Sequence, residues 1–412
     1  MLYTLHEMGK QGMAPFVALS TWWSQLFSSP FSPYSYIPNA RQISAGFDLL
    51  YRLGKDYEKP AWGISEVTVG DTTAQVTEEV TINRPFCRLV HFKRSATKNP
   101  NGDPIVIVVA PLSGHHATLL RDTVQTMLQS FDVYVTDWVD ARMVPLSAGP
   151  FHLDDYVQYI IDFIHALGPN THIMSVCQPT VPVLGAVSLM ASNNDPIQVK
   201  SMVMMGGPLD ARKSPTSVNG LANEKSYTWF ETKLIHRVPS RYPGHDRLVY
   251  PGFLQHAGFV AMNPDRHMQS HYDYYLDLMK GNNMGADHHR KFYDEYNAVL
   301  DLPAEFYLDT IKVVFQEFQL PLGTWHVKGQ LVEPAKITRA HLLTIEGELD
   351  DITGKGQTQV ALDMCQGIPE DHKQSFIVEK AGHYGIFSGG RWRNKVFPVV
   401  EEFINKADQT VK

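Results

Sequence analysis

The feature that most constrains the fold is a series of short apolar segments that alternate with helical ones. Residues 105–110 are continuously apolar, which is typical of a strand buried on both faces of a parallel sheet. Further strands are predicted at 133–138, 172–176 and 202–205, with helices at 117–130, 153–167 and 181–191. Strands that alternate with helices of this length indicate βαβ units. The chain is therefore predicted to form an α/β structure with a doubly wound, mostly parallel sheet.

The texture of the sequence changes three times, which divides the chain into four parts. Residues 1–60 have helical spacing and form an N-terminal helical segment. Residues 61–208 open with alternating segments typical of antiparallel strands and contain the first part of the α/β core. Residues 209–335 are rich in Tyr, His, Met and Phe and lack apolar strand runs, which favours a helical cap insertion. Strand patterns return in residues 336–412, the C-terminal part of the core.

Composition narrows the class of protein further. A net charge of −7 and a pI near 6.2 argue against a nucleic-acid partner, which would normally require a basic excess. The three cysteines, Cys87, Cys177 and Cys365, are odd in number and widely spaced, so a reducing compartment is expected. The start lacks a signal-peptide pattern, and residues 13–27 are too short and polar to span a bilayer. We therefore expect a cytoplasmic protein without membrane insertion.

Cys177 is the strongest candidate for a nucleophile. A short apolar strand runs into it and a helix follows, which is the layout of a nucleophile elbow. The usual glycines two residues before and after the nucleophile are here Ser175 and Pro179, so the motif match is imperfect. Gln178 keeps its main-chain N–H, the expected first donor of an oxyanion hole.

Candidate acid and base residues follow Cys177 in chain order. Asp350 and Asp351 lie in a loop after one apolar strand, and His383 follows the next strand. The order nucleophile, acid, base is that of the α/β-hydrolase fold, which we predict for the core. No G-x-S-x-G motif offers a competing serine. Either aspartate could be the acid on this evidence.

The loop after the strand at 105–110 is expected to supply the second oxyanion donor, a main-chain N–H of Leu112 or Ser113. Ser113 and His115 are also candidate substrate-binding residues. His115 and His116 could instead position the loop through hydrogen bonds.

No metal is predicted. The adjacent histidines at 288 and 289 would point apart on a helix, and no further residues have ligand spacing.

Motifs spread over essentially the whole chain resemble those of one known family. They are MLY at 1–3 with HEM at 6–8, YRLGKDYEKP at 51–60, APLSGH at 110–115, YVTDW at 134–138 with DAR at 140–142, VCQP at 176–179, MGGP at 205–208 with Asp210, EGE at 346–348 with DDI at 350–352, and GHYG at 382–385. The sequence is similar to the intracellular poly(3-hydroxybutyrate), or polyhydroxyalkanoate, depolymerases. The resemblance implies a nucleophile at Cys177, an acid at Asp350 and a base at His383. It also implies an enzyme associated with cytoplasmic polyester storage granules.

The expected chemistry is acyl transfer through a thioester on Cys177. No cofactor is expected; water is the default acyl acceptor, and coenzyme A is a chemically reasonable alternative. Two sets of residues are candidate surfaces for contact with the granule, and either set could instead be packed inside the protein. The first is the aromatic and apolar cluster of the N-terminal segment, Trp22, Trp23, Leu26 and Phe27. The second is a set of aromatic residues in the cap: Tyr272, Tyr274, Tyr275, Phe292 and Tyr293.

Alternative functions remain open. One is a polyhydroxyalkanoate synthase-like acyltransferase, although synthases carry a glycine-flanked cysteine and this chain has Ser175 and Pro179. The others are a non-catalytic granule-associated protein and a hydrolase of small esters. The number of copies in the native protein is also open, including a homo-oligomer.

Overall fold

The computed structural model describes residues 2–100 and 102–410. Met1, which opens the N-terminal motif, and residues 411–412 of the C-terminal part lie outside the described residues. A nine-stranded sheet forms the centre of the molecule. Its strands are β1 Glu66–Val69, β2 Thr72–Asn83, β3 Cys87–Arg94, β4 Ile105–Val109, β5 Asp132–Trp138, β6 Thr171–Val176, β7 Ser201–Met205, β8 His341–Gly347 and β9 Lys373–Val378.

The strand order is β1-β2-β3-β5-β4-β6-β7-β8-β9. The pairs β1–β2, β2–β3 and β3–β5 are antiparallel, and the remaining pairs are parallel. In this order β5 lies between β3 and β4, and the strands from β5 across to β9 are all parallel. This arrangement confirms the predicted α/β-hydrolase fold. The carboxyl ends of the parallel strands share one edge of the sheet, which is where ligands bind in open α/β folds.

The predicted apolar runs are the buried strands. Every residue of β6, β7 and β8 is buried, as are four of the five residues of β4. Helices cover both faces of the sheet: α3 Arg121–Met127, α4 Leu153–Leu167, α5 Thr180–Ser192, α12 Ala361–Met364, α13 Gly389–Arg391 and α14 Phe397–Thr410. The helix predicted over 117–130 begins as a 3₁₀ turn at Ala117–Leu120. The main core lies between these helices and the sheet.

Two helices, α1 Leu2–Ser28 and α2 Ala40–Gly54, form an N-terminal hairpin joined by the 3₁₀ turn Pro33–Tyr36. Among the described residues, no helix has both the length and the apolar character needed to cross a bilayer.

The chain between β7 and β8 is mainly helical. Its helices are α6 Ser217–Glu224, α7 Tyr227–Leu234, α8 Gly252–Met262, α9 Pro264–Lys280, α10 Asn283–Tyr296 and α11 Ala304–Thr310, which continues as a π-helix at Ile311–Gln316. Short strands that the sequence did not reveal also occur there: His236–Arg237, Leu248–Tyr250 and Leu302–Pro303 in one sheet, and a hairpin of His326–Val327 with Gln330–Leu331. Strands of two or three residues are too short for a periodic apolar signal. We call residues 209–335 the cap.

Candidate active site

Cys177 occupies a sharp turn between β6 and α5. Its φ of +69° lies in the left-handed region, which a residue with a side chain enters only at a cost of about 1–3 kcal/mol unless its surroundings hold it there. The main-chain N–H of Cys177 donates to the carbonyl of Met205 at 2.7 Å, and its own carbonyl accepts the N–H of Thr180 at 3.1 Å. The turn therefore has the strained strand-to-helix geometry of a nucleophile elbow.

Ser175 and Pro179 fit this turn without glycine. Ser175 lies within β6, fully buried, and its hydroxyl donates to the carbonyl of Val203 at 3.3 Å. Pro179 caps the start of α5 with a φ of −57°, which suits the ring and needs no N–H at a position without a helical partner.

Asp350 and His383 lie together at the same edge of the sheet, after β8 and β9. The Nδ1 of His383 is 2.7 Å from Oδ2 of Asp350, and both side chains are buried. The other carboxylate oxygen of Asp350 accepts the main-chain N–H groups of Ile352 at 2.9 Å and Thr353 at 2.8 Å. These bonds fix the carboxylate, so Oδ2 is left to orient the imidazole. Asp351, by contrast, is exposed.

The protonation of His383 is set by competing effects. Burial lowers its pKa, but the charge of the neighbouring Cys177 and the hydrogen bond to Asp350 outweigh burial and raise that pKa from 6.5 to about 10. The site therefore favours the protonated, imidazolium form of His383. A thiolate, rather than a thiol, is the nucleophilic form of cysteine.

Three main-chain N–H groups around the elbow are free to donate. Within the described chain, those of Leu112, Ser113 and Gln178 have no hydrogen-bond acceptor. Leu112 and Ser113 follow β4, the strand next to β6, and Gln178 follows Cys177 directly. Free N–H groups beside a nucleophile are what an oxyanion hole requires.

The side chain of Gln178 is unusual. Only 8% of it is exposed, yet neither its amide nitrogen nor its amide oxygen has a partner among the described residues. Burying an unpaired amide costs about 1–3 kcal/mol, and such groups concentrate at functional sites.

His115 contacts the cap. Its Nε2 is 3.2 Å from the carbonyl oxygen of Tyr296, and its ring stacks on Phe259 at 4.8 Å. Burial lowers its pKa to about 4, so the imidazole is neutral at neutral pH. These contacts favour the loop-positioning interpretation of His115 over direct contact with a substrate. The neighbouring His116 is also buried, and burial lowers its pKa to about 3.

Several residues that support the acid and the base were given no role from the sequence, although Gly206 and Glu346 lie within the matching motifs. Gly206 has a φ of +55°, and a Cβ there would lie 2.8 Å from Ile386 and 3.3 Å from the His383 ring. Thr353 donates its hydroxyl to the Gly206 carbonyl at 2.8 Å. The buried carboxylate of Glu346 accepts three main-chain N–H groups, those of Gly356, Thr358 and Gln359. The sequence features that could have indicated these supporting roles are the glycine pair at 206–207, directly after β7, and the charged Glu346 within the buried strand β8.

The remaining cysteines and histidines do not join this site. Cys87 and Cys365 are buried, and burial raises the pKa of both thiols. His288 is exposed whereas His289 is buried, as expected of adjacent helical positions. In the described part of the chain, no three His, Cys, Asp or Glu residues are grouped to hold a metal.

Several solved structures are similar to this chain at low sequence identity. They include a monoacylglycerol lipase of Paleococcus ferrophilus, with 15% identity, a TM-score of 0.43 and coverage of 74% of this chain and 96% of the lipase. A thermophilic esterase of Thermogutta terrifontis has 12% identity, a TM-score of 0.42 and coverage of 83% and 98%. A 2-hydroxy-6-oxo-6-phenylhexa-2,4-dienoate hydrolase of a Rhodococcus species has 12% identity, a TM-score of 0.43 and coverage of 81% and 100%. We draw no functional argument from likenesses this distant.

The sequence comparison is more specific. No curated protein matches the chain at a significant level. Residues 206–408 match the family model described as the PHB de-polymerase C-terminus. That region begins at Gly206, behind the His383 ring, and contains both Asp350 and His383. The chain therefore belongs to the poly(3-hydroxybutyrate) depolymerase family and is a carboxylic ester hydrolase.

Proposed function

We propose that this enzyme cleaves the ester bonds of poly(3-hydroxybutyrate) through an acyl-enzyme on Cys177, and that it releases 3-hydroxybutyrate monomers or oligomers. The observation that carries the proposal is the left-handed turn at Cys177 beside the buried His383–Asp350 pair, whose Nδ1–Oδ2 distance is 2.7 Å. Family membership supports the choice of polymer.

In the first half-reaction, the Cys177 thiolate attacks the ester carbonyl carbon and a tetrahedral oxyanion forms. The C–O bond then breaks, and the departing alkoxide takes the proton that His383 carries. A thioester of the hydroxyacyl unit is left on the sulfur. Asp350 holds the imidazole in the tautomer that presents Nε2 to the reacting atoms.

In the second half-reaction, His383 takes a proton from water as the water oxygen attacks the thioester. The tetrahedral intermediate collapses and expels the Cys177 thiolate, which restores the resting site. The main-chain N–H groups of Gln178 and of Leu112 or Ser113 stabilise both oxyanions; removing one such donor typically costs about 10²–10³ in kcat.

Ser113 remains a candidate for contact with the bound polymer chain, since it borders the elbow and is only half-buried. His115 acts indirectly, by holding the loop after β4 against the cap through its contact with the Tyr296 carbonyl. We propose that the enzyme needs no resident cofactor and that it acts in the cytoplasm at the granule surface. Coenzyme A remains an alternative acceptor, because a thioester exchanges readily with another thiol.

The test compares wild-type protein with Cys177→Ala on amorphous poly(3-hydroxybutyrate) particles, with product analysis by mass spectrometry, with and without coenzyme A. Cys87→Ala is a matched control, because that thiol is buried and donates to the main-chain carbonyl of its neighbour Arg88. We expect product release from the wild type and the control, none from Cys177→Ala, and a hydroxyacyl adduct on Cys177 in rapidly quenched samples.

The polymer assay, extended to 3-hydroxybutyryl-coenzyme A and to soluble p-nitrophenyl esters, separates the alternatives. Degradation by Cys177→Ala would overturn the cysteine mechanism. Polymer growth from 3-hydroxybutyryl-coenzyme A without degradation would show a synthase-like transferase. Cleavage of soluble p-nitrophenyl esters but not of polymer would show a small-ester hydrolase.

A further inference from the structure

One face of α1 carries large apolar side chains that remain exposed to solvent. We call this set the α1 apolar stripe; it consists of Leu5, Met8, Phe16, Leu19, Trp22 and Trp23, which are 56%, 62%, 62%, 51%, 54% and 37% exposed. Residues spaced by three, four and seven share one face of a helix. The stripe extends over about 27 Å, at 1.5 Å per residue.

The opposite face of α1 holds the helix in place. Its buried residues are Tyr3, Glu7, Val17, Ser20 and Ser24. Ser24 hydrogen bonds Ser44 of α2, with 3.2 Å between the hydroxyl oxygens. The helix thus has one face for the protein and one apolar face directed to the surroundings, which is unusual for a surface helix, whose outer face is normally polar.

Four of the six stripe residues, Phe16, Leu19, Trp22 and Trp23, lie in a long uncharged stretch. Between Lys10 and Arg41 the sequence contains no Asp, Glu, Lys, Arg or His. The charges at the start of α1 are already paired: Lys10 with Asp56 at 2.5 Å, and Glu7 with Arg241 at 2.8 Å. Contiguous exposed apolar surface of this kind marks an interaction site.

Ring contacts continue the stripe beyond α1. Trp22 and Trp23 have ring centroids 5.0 Å apart, Trp23 and Phe27 6.0 Å, and Phe27 and Tyr34 6.1 Å. The turn after α1 adds Phe31 and Tyr36, which are 96% and 76% exposed. The apolar surface is therefore a patch formed by a helix and a turn, broader than a single helical seam.

The patch-bearing hairpin is fastened at the same edge of the sheet as Cys177. The Tyr3 hydroxyl donates to Oδ2 of Asp301 at 2.6 Å, and the Asp301 N–H donates to Oδ1 of Asp140 at 3.1 Å. Asp140 is the second residue after the end of β5, so it lies near the carboxyl end of the parallel strands, as Cys177 does. The N-terminal end of α1 is therefore anchored at the active-site edge of the sheet.

We propose that the α1 apolar stripe docks the enzyme on the surface of its water-insoluble polyester; this inference rests on the proposed function. A polyester chain is uncharged, which matches the uncharged stretch. An anionic phospholipid surface would select Lys and Arg beside the apolar face. A helix-to-helix dimer would need a narrow seam flanked by charges, whereas this patch is broad and uncharged.

The test uses the full-length triple variant Phe16→Ser/Leu19→Ser/Trp22→Ser. Sedimentation with amorphous poly(3-hydroxybutyrate) particles measures binding, and a soluble p-nitrophenyl ester measures the active site separately. We expect binding to the particles, and degradation of them, to fall by about a hundredfold, because three exposed large apolar side chains are lost. Activity on the soluble ester should be unchanged. Gln11→Ser/Gln25→Ser, at exposed polar positions of the same helix, should behave as wild type.

Other outcomes have defined meanings. Undiminished particle binding by the triple variant would overturn the proposal, as would tighter wild-type binding to phosphatidylglycerol vesicles than to polymer. A wild-type dimer that the triple substitution converts to a monomer, without loss of particle binding, would identify a second copy as the occupant. Cys177→Ala should still bind the particles. If the wild type binds particles through the stripe but does not cleave the polymer, the proposed function is refuted while the docking proposal is supported.

Discussion

Replacing Asp350 with asparagine keeps the shape of the side chain but places an amide group, instead of a carboxylate oxygen, opposite Nδ1 of His383. The N–H groups of Ile352 and Thr353 donate to Oδ1 at 2.9 and 2.8 Å, so the amide oxygen of asparagine must take that position. Its NH₂ group then points at Nδ1 of His383, which must become an acceptor. The ring proton moves to Nε2, and the imidazole cannot take the thiol proton from Cys177.

The size of the effect follows from the electrostatics of the site. The rise of the His383 pKa from 6.5 to about 10 corresponds to about 5 kcal/mol in favour of the imidazolium. Asp350 supplies part of that preference and Cys177 the larger part. A carboxylate-to-amide change that imposes the wrong tautomer in a serine protease triad costs about 10⁴ in kcat. We therefore expect Asp350→Asn to slow acylation by about 10³–10⁴.

Single-turnover acylation by a soluble p-nitrophenyl ester measures this step without the complication of particle binding. Thermal unfolding should change little, since asparagine retains the acceptor for both main-chain N–H groups. Asp351→Asn is the matched control, because its side chain is exposed, and it should acylate at the wild-type rate. An Asp350→Asn rate within tenfold of wild type, or an equally slow Asp351→Asn, would refute the reasoning.

Three further predictions concern stability. Gly207→Ala would place a Cβ 1.8 Å from the hydroxyl of Thr180 at the start of α5; we expect urea unfolding to show a loss of about 1–3 kcal/mol, together with lower activity. Burial lowers the pKa of His289 to about 3, so the unfolded chain binds a proton that the folded chain does not. The unfolding free energy should fall by up to about 1.4 kcal/mol per pH unit as pH decreases from 6.5 towards 3, and His289→Phe should reduce this slope in urea titrations. Tyr3→Phe removes the 2.6 Å hydrogen bond to the buried carboxylate of Asp301 and should cost about 1–3 kcal/mol in thermal unfolding.

Each of these predictions has a control in the chain. A Cβ at Gly220 would meet no described atom within 4 Å, so Gly220→Ala in α6 should be neutral or stabilising. His288→Phe, at the exposed neighbouring position, should leave the pH slope unchanged. Tyr36→Phe removes a bond to the Pro30 carbonyl at an exposed site and should cost under about 0.5 kcal/mol. Equal effects within any pair would contradict the corresponding structural argument.

The sequence alone determined the α/β class, the elbow at Cys177 and the chain order of the candidate site. These features are local: a strand buried on both faces needs a continuous apolar run, and an elbow needs a strand that runs directly into a helix. The prediction of an α/β-hydrolase sheet is confirmed by the strand order. Elements too short to show a period, such as the strands in the cap, left no readable pattern.

Tertiary structure decided which of two adjacent aspartates meets the base. Asp350 and Asp351 are chemically identical and adjacent in the chain, and the fold distinguishes them: Asp350 lies 2.7 Å from the His383 ring, whereas Asp351 is exposed. It also decided that the His115 ring contacts the cap and that Tyr3 bonds Asp301, 298 residues away. The local sequence pattern specifies which face of a helix or strand is apolar, whereas long-range packing decides which other element covers that face. In α1, packing leaves one apolar face exposed.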